Sequence, residues 1–322
     1  MIPLIVRSHY SLMWGTASPR QICRAARRMG YERLALTDTD NLYGLWPFLA
    51  ACRREGITPI VGAEITDPRD RRRAVCLVET ETGYRNLCRL LTRRHLQSTE
   101  FDLQADLAAH AAGLTVLATD PGLLEAWHAA GVAVVAAMPR RMRSATHLLR
   151  TVARRLGVAA VAVPGSFFLQ PEDAAVHRIL RAIARNTCLS RLEAKDGAAA
   201  DAWLAPPAEY ERRFSASPEA LSATAAIAER LAFTGPRFGT VLPPLAGHDA
   251  ASAVRRLRTD AYAGARRRYG AELSTAAVER LEYELGLIAQ MGFAAYFLIV
   301  RDIVALSPRT CGRGSGAASL VA

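Results

Sequence analysis

No two of the six cysteines stand in a C-x-x-C pair, and several lie inside apolar periodic segments. That argues against a zinc site or a disulfide framework and for reduced, mostly buried thiols of a cytoplasmic protein. The N-terminus lacks a basic region followed by a long apolar run, so no signal peptide is read there. No uncharged apolar stretch reaches about 18 residues, so no membrane span is expected. Aromatic residues make up only 7% of the chain and are dispersed, which leaves no base-stacking platform to propose. There is no internal repeat and no low-complexity block beyond an arginine and alanine bias.

What is present is a chain of 322 residues, the size of one large or two modest domains, with 51% hydrophobic residues to build a core. Lys and Arg number 41 against 30 Asp and Glu, a formal charge of +11. Such a balance fits a polyanionic partner such as DNA. The arginine excess of a GC-rich genome produces the same balance. The basic runs Arg71-Arg72-Arg73, Arg93-Arg94, Arg140-Arg141 with Arg143, Arg154-Arg155 and Arg266-Arg267-Arg268 are candidate phosphate contacts or solvated helix ends, and no DNA-contacting residue is assigned.

Along the first 165 residues strand and helix signals alternate. Short apolar runs at 3–6, 34–37, 59–62, 74–78, 114–118, 132–137 and 158–163 read as buried strands. Helical spacing covers 21–29 behind the Ser18-Pro19 start signal, and also 45–55, 84–94 and 145–156. This alternation argues for a mostly parallel α/β layout. From Glu172 the chain reads as helix, at 172–185, 207–213 and 217–232. A Pro/Gly-rich linker spans 236–248, so the expected organisation is a domain at 1–235 and a second region at 249–322. The second region carries helices at 249–268 and 275–290, an apolar segment at 293–306 and a Gly/Ser-rich loop at 312–319.

The segment Arg280-Leu281-Glu282-Tyr283-Glu284-Leu285, then Met291-Gly292-Phe293, Tyr296-Phe297-Leu298-Ile299-Val300 and Asp302, resembles the start of the palm in bacterial C-family DNA polymerases, the family of the DNA polymerase III alpha subunit. The loop Gly312-Arg313-Gly314-Ser315-Gly316-Ala317-Ala318-Ser319-Leu320-Val321-Ala322 resembles that family's Gly-Arg-Gly-Ser signature. Glycines let backbone N–H groups approach and cradle a phosphate, and Arg and Ser add charge-matched hydrogen bonds. The resemblance makes Gly312, Arg313, Gly314, Ser315 and Ser319 candidates for binding the triphosphate of a dNTP. The family's catalytic aspartates lie downstream of this loop, and two-metal phosphoryl transfer needs such a pair. None follows it here, so no catalytic residue is assigned and the chain alone is expected not to polymerise DNA. Mg²⁺, primer–template DNA, a sliding clamp and a proofreading subunit belong to what the resemblance implies for a full-length polymerase.

The start of the chain, Val6-Arg7-Ser8-His9-Tyr10-Ser11-Leu12 and Leu36-Thr37-Asp38-Thr39-Asp40-Asn41-Leu42-Tyr43-Gly44, resembles the polymerase-and-histidinol-phosphatase (PHP) domain, and so do Pro59-Ile60-Val61-Gly62-Ala63-Glu64 and Gly83-Tyr84-Arg85-Asn86-Leu87. The resemblance implies a distorted β/α barrel, then a helical linker region and the first part of an α+β palm. Active members hold metal ions at the C-terminal ends of the strands. Here Ile5 and Arg7 stand at the family's His-x-His, Trp14 at an acidic position, Thr39 and Arg73 at histidines, and Pro164 and Ser166 at a late Asp-x-His. A further ligand falls near residue 140, with no residue assigned to it. Only Glu64 survives, with Asp38 and His9 as residual candidates. One carboxylate cannot hold a cluster, so no PHP metal is expected and the domain reads as a scaffold or interaction surface. His177 matches a family position on a helix and reads as a packing or surface residue. The lost ligands and the spacing before Gly312 point to an error-prone branch. The competing readings are a PHP-type metal-dependent phosphoesterase or 3′–5′ exonuclease, and a stand-alone polymerase accessory.

Overall fold

The computed structural model describes residues 1–70, 72–139, 144–238 and 242–322, with the backbone alone at 144, 145 and 315. Two compact units emerge, Met1–Pro236 and Arg237–Ala322.

In the first unit six strands, β1 (Arg33–Thr39), β2 (Thr58–Thr66), β3 (Arg73–Val78), β4 (Leu114–Ala118), β5 (Val134–Met138) and β6 (Ala160–Ala162), pair side by side in chain order. Pairs β1–β2, β4–β5 and β5–β6 are parallel, while β3 is antiparallel to both its neighbours. The sheet is therefore mostly parallel, as strand–helix alternation suggests, with one strand reversed. The reversal has a local cause. Residues 67–72 are too few for a parallel crossover, which takes a dozen or more. Asp67 folds that link: its carboxylate accepts bonds from the Arg69 backbone and guanidinium and from the Leu103 amide. The Arg69 bonds hold the Asp67 carboxyl well below the usual carboxylate range against the opposing effect of burial.

Residues 3–6, expected as a strand, do not form a regular one. They run between β1 and the stretch beyond β6. Thr37 and Ala35 donate their amides to the Val6 and Pro3 carbonyls, and on the other side the Ser166 carbonyl accepts the Arg7 amide while the Ser166 amide donates to the Ile5 carbonyl. Both edges of the sheet are thereby joined through an irregular segment, which makes the barrel distorted.

The helices of this unit are α1 (Pro19–Arg28), α2 (Leu45–Glu55), α3 (Glu81–Leu96), α4 (Leu103–Ala109), α5 (Pro121–Ala129), α6 (Ser144–Leu156), α7 (Ala174–Ala184), α8 (Pro207–Arg213) and α9 (Pro218–Arg230). Helix α1 opens with a full capping box, Ser18 with Gln21, and with Pro19 in the first turn. Helix α2 ends on Gly56 in the left-handed region, where a side chain would be strained. Helices α4 and α5 were not expected from periodicity.

Side chains alternate across the strands. Ile60 of β2, Ala35 of β1, Val75 and Leu77 of β3, Leu117 of β4, Val135 and Ala137 of β5 and Val161 of β6 form one cluster with Leu4 and Ile5, covered by Ile227, Ala228 and Leu231 at α9. The opposite faces pack on the outer helices, with Phe48, Leu87, Leu90 and Trp127 fully buried there. In the second unit α10 (Ala250–Tyr269), α11 (Thr275–Gln290) and α12 (Ala294–Ala305) pack around Ala253, Leu257, Leu285, Ile288 and Leu298. The described residues of this unit, expected as the start of an α+β palm, contribute helices and no strand. Among the described residues no single helix is long and apolar enough to cross a membrane.

Candidate functional site

The inward-facing row continues past the apolar cluster to one mouth of the barrel. Two-residue alternation carries it from Ile5 to Arg7, from Ala35 to Thr37 and Thr39, from Ile60 to Gly62 and Glu64, and from Val75 to Arg73. Register places Thr39 opposite Glu64. Four positions that the resemblance marks as metal ligands thus converge, and they are bonded to one another. The Glu64 carboxylate pairs with the Arg7 guanidinium, accepts the Thr39 hydroxyl at 3.1 Å and lies 3.4 Å from Arg73 Nη1. Arg7 Nε also donates to Thr39 Oγ1 at 3.2 Å, and the guanidinium stacks 4.4 Å from the Phe167 ring. Arg7 and Glu64 are 5% and 3% exposed, so this is a buried ion pair.

The residual candidates are engaged elsewhere. Asp38 is buried, and its oxygens accept from the Ser8 amide and hydroxyl and from the Ser11 hydroxyl, at 2.6 to 2.7 Å. It staples the loop that follows the first segment. Asp40 sits at φ 55° and holds Thr66 and Arg94. The His9 ring is exposed and packs edge-on against Tyr10 at 4.6 Å. These are the turn-forming roles that short polar side chains take near strand ends.

The other positions that the resemblance marks as lost ligands take part in packing. Ile5 is in the inner cluster. Ser166 Oγ lies 2.9 Å from the Tyr210 hydroxyl, which also accepts the Ala205 amide and donates to the Trp203 carbonyl. Trp14 packs with Phe167 and His177 beneath the Arg181 guanidinium, 3.8 Å from its ring. His177 is buried and doubly bonded: Nδ1 donates to the Trp14 carbonyl at 2.7 Å, and Nε2 accepts the Ala198 amide at 2.8 Å. Burial, aided by Arg181, pushes its pKa below the ordinary imidazole value, against the pull of the Trp14 bond. The packing reading of His177 agrees with this geometry. Sequence reasoning missed Tyr210 and Arg181, whose contacts lie far away in the chain and have no local signature.

The donor set does not suit a metal. Among the described residues no three His, Cys, Asp or Glu side chains gather. The four converging positions at the mouth offer one carboxylate and one hydroxyl beside two guanidiniums. A guanidinium has no lone pair to donate and adds positive charge where a cation would sit. Residues 140–143, near which the remaining family ligand falls, lie outside the described residues.

In the second unit the Gly/Ser-rich segment is exposed, with a 3₁₀ turn at Ser315–Ala318. Gly314 is at φ 80°, a conformation that favours glycine. An added Cβ at Gly312 or Gly316 would meet nothing within 4 Å, so the chain's own packing does not demand glycine there. Arg313 is exposed, Ser319 is half-buried, and the Ser315 side chain is outside what is described.

Many arginines of the basic runs face carboxylates of the same chain. Arg72 pairs with Asp70 and Asp67, Arg73 with Glu64, Arg93 with Asp106, Arg94 with Asp40 and Arg155 with Glu125. Arg71, Arg140, Arg141 and Arg143 lie outside the described residues. Cys23, Cys52 and Cys76 are buried and unbridged, Cys88 is half-buried, and Cys188 and Cys311 are exposed.

The PHP domain family matches residues 4–160, and the bacterial DNA polymerase III alpha NTPase domain matches residues 255–322. The DNA polymerase III subunit alpha of Treponema pallidum is 30% identical over all of this chain and 31% of its own length. The error-prone DNA polymerases of Nocardia farcinica and Mycobacterium bovis are 30% and 31% identical over 99% of this chain and 35% and 33% of theirs. The chain thus spans about a third of the length of these relatives. Among solved structures, an amidohydrolase from Chromobacterium violaceum has a TM-score of 0.38 and 17% identity over 52% of this chain and 87% of that one, too loose a match to inform the site.

Proposed function

We infer, for a chain that carries a PHP domain and is related along its length to bacterial DNA polymerase III alpha subunits and error-prone DNA polymerases, that its PHP domain is a metal-free scaffold within a DNA-directed DNA polymerase. The substrates of that polymerase are primer–template DNA and dNTPs, with Mg²⁺ as its metal. Gly312, Arg313, Gly314, Ser315 and Ser319 form the turn that receives the triphosphate.

The observation that carries the scaffold reading is the Arg7–Glu64 pair with Thr39 and Arg73 at the barrel mouth. A PHP hydrolase would need that carboxylate for metal. Here it neutralises a buried guanidinium, and releasing it would strand a charge in the interior. Positions that would bind ions instead join the first segment of the chain to β1, β2 and β3, which stiffens the domain for holding partners such as a proofreading subunit or the thumb of the polymerase. Replicative and error-prone relatives match at nearly equal identity, so both kinds of DNA synthesis remain within the proposal.

Hydrolysis of a chromogenic phosphodiester, followed with added Mn²⁺ or Zn²⁺, tests the scaffold reading against the phosphoesterase and exonuclease alternatives. The expectation is no metal-dependent hydrolysis. Metal-dependent turnover abolished by Glu64→Ala would make the domain a hydrolase.

A further inference from the structure

Glu284 is a buried carboxylate on α11, flanked by the core residues Leu281 and Leu285. A charge in such a place is unfavourable unless hydrogen bonds replace its water. Its partners are specific. Oε1 accepts Arg280 Nε at 2.6 Å. Oε2 accepts the Ser319 hydroxyl at 2.7 Å, the Leu320 amide at 2.9 Å and the Val321 amide at 3.2 Å. One oxygen therefore grips three consecutive residues at the exit of the Gly/Ser-rich segment. Ser319 Oγ extends the grip by accepting the Val321 and Ala322 amides at 3.2 and 3.1 Å.

Upstream of this point the segment is held by short-range bonds of its own, such as Ala317 N to Gly314 O at 3.2 Å and Ser319 N to Gly316 O at 3.0 Å. Its glycines leave open space around them. Such a segment is conformationally free unless one end is fixed. Hydrogen bonds to an ionised acceptor are roughly twice as strong as neutral ones, which suits a single anchor.

We propose that Glu284, braced by Arg280, is a positioning residue that fixes the exit of the Gly/Ser-rich loop, so that the Gly312–Gly316 backbone keeps the curvature needed to receive a triphosphate. The inference rests on the triphosphate reading of that loop. Glu284 touches no ligand itself and acts through Ser319, Leu320 and Val321. Although burial opposes it, the bonds from Ser319, Val321 and Arg280 keep the carboxyl below the usual range, and it is ionised at neutral pH.

The test combines amide hydrogen exchange with calorimetric titration of inorganic tripolyphosphate, on the 322-residue chain and its Glu284→Ala, Glu284→Gln and Arg313→Ala variants. Glu284→Ala should speed exchange at Leu320 and Val321 by about tenfold or more, the loss of a bond to a charged group, while amides in the middle of α10 and α12 keep their protection and report an intact unit. Glu284→Gln keeps the shape and one acceptor, and should fall in between. Tripolyphosphate affinity should drop in both Glu284→Ala and Arg313→Ala. Unchanged exchange at Leu320 and Val321 overturns the anchor. Faster exchange with unchanged affinity overturns its positioning role. If the parent chain binds no tripolyphosphate, or binds it with Arg313→Ala unaffected, the triphosphate reading fails, and the inference built on it fails too.

Discussion

Arg7, at a position that the resemblance marks as a metal ligand, has a structural role at the scale of one residue. Its guanidinium is buried against Glu64, Thr39 and the Phe167 ring. Truncating one partner of a buried pair leaves an uncompensated charge, so Arg7→Ala should lower unfolding free energy in urea by about 3–5 kcal/mol. Arg7→Met combined with Glu64→Leu should recover most of it, because a packed apolar pair can replace a buried ion pair at little net change. A stable Arg7→Ala protein would mean that the pair is not holding the mouth together. His177 supports a second prediction. Its folded pKa is lowered, so below the unfolded value of about 6.5 the unfolded chain binds a proton that the folded chain refuses. Stability should therefore fall as pH drops through that value, and the fall should be smaller in His177→Gln, measured by urea unfolding at pH 8 and pH 5.5. Equal slopes would show that His177 titrates alike in both states. Which positions are altered can be read from the sequence by resemblance. That Arg7 and Arg73 pair with the surviving Glu64 cannot, because the contacts join residues 57 and 9 apart whose meeting depends on strand register. Glu284 did leave a signal, a carboxylate beside the apolar positions of α11, but only the structure shows what it holds.

At the scale of elements, legibility follows local chemistry. Helices α1 and α11 begin at capping serines and end just before glycines, α2 lies between Gly44 and Gly56, and α8 starts at Pro206-Pro207, so the sequence places them closely. Helices α4 and α5 carry cap signals too, Asp102 before Leu103 and Asp120 before Pro121, but only α5 has a proline in its first turn and neither is long enough for its periodicity to stand out. The reversed β3 was legible in principle from the length of 67–72. The first segment was not, because its bonds run to β1 and Ser166 without the ladder of a regular strand. Contact between elements also fixes two glycines that periodicity cannot explain. A Cβ on Gly83, in the first turn of α3, would lie 1.8 Å from the Gly113 carbonyl oxygen just before β4. Backbone cannot yield as a side-chain tip can, so Gly83→Ala should destabilise by about 3 kcal/mol, at the upper end of ordinary overpacking. Thermal melts would check this, and an unchanged melting temperature would mean that α3 can shift away from the turn.

At the scale of the whole chain, composition says less than it first suggests. The formal charge is +11, yet several of the arginine runs are balanced by neighbouring carboxylates, so net charge alone does not mark a nucleic-acid face. Two units with separate cores carry separate propositions, a barrel mouth proposed to be metal-free with Glu64 held by guanidiniums, and a helical unit bearing the candidate triphosphate loop. The first is the central claim, and metal content measures it most directly. Protein purified without chelator and equilibrated with Zn²⁺ and Mn²⁺ should retain only substoichiometric metal by mass spectrometry, equally in the parent and in Glu64→Ala. Two or three tightly held ions per chain, lost in Glu64→Ala, would contradict the account and return the barrel mouth to metal chemistry.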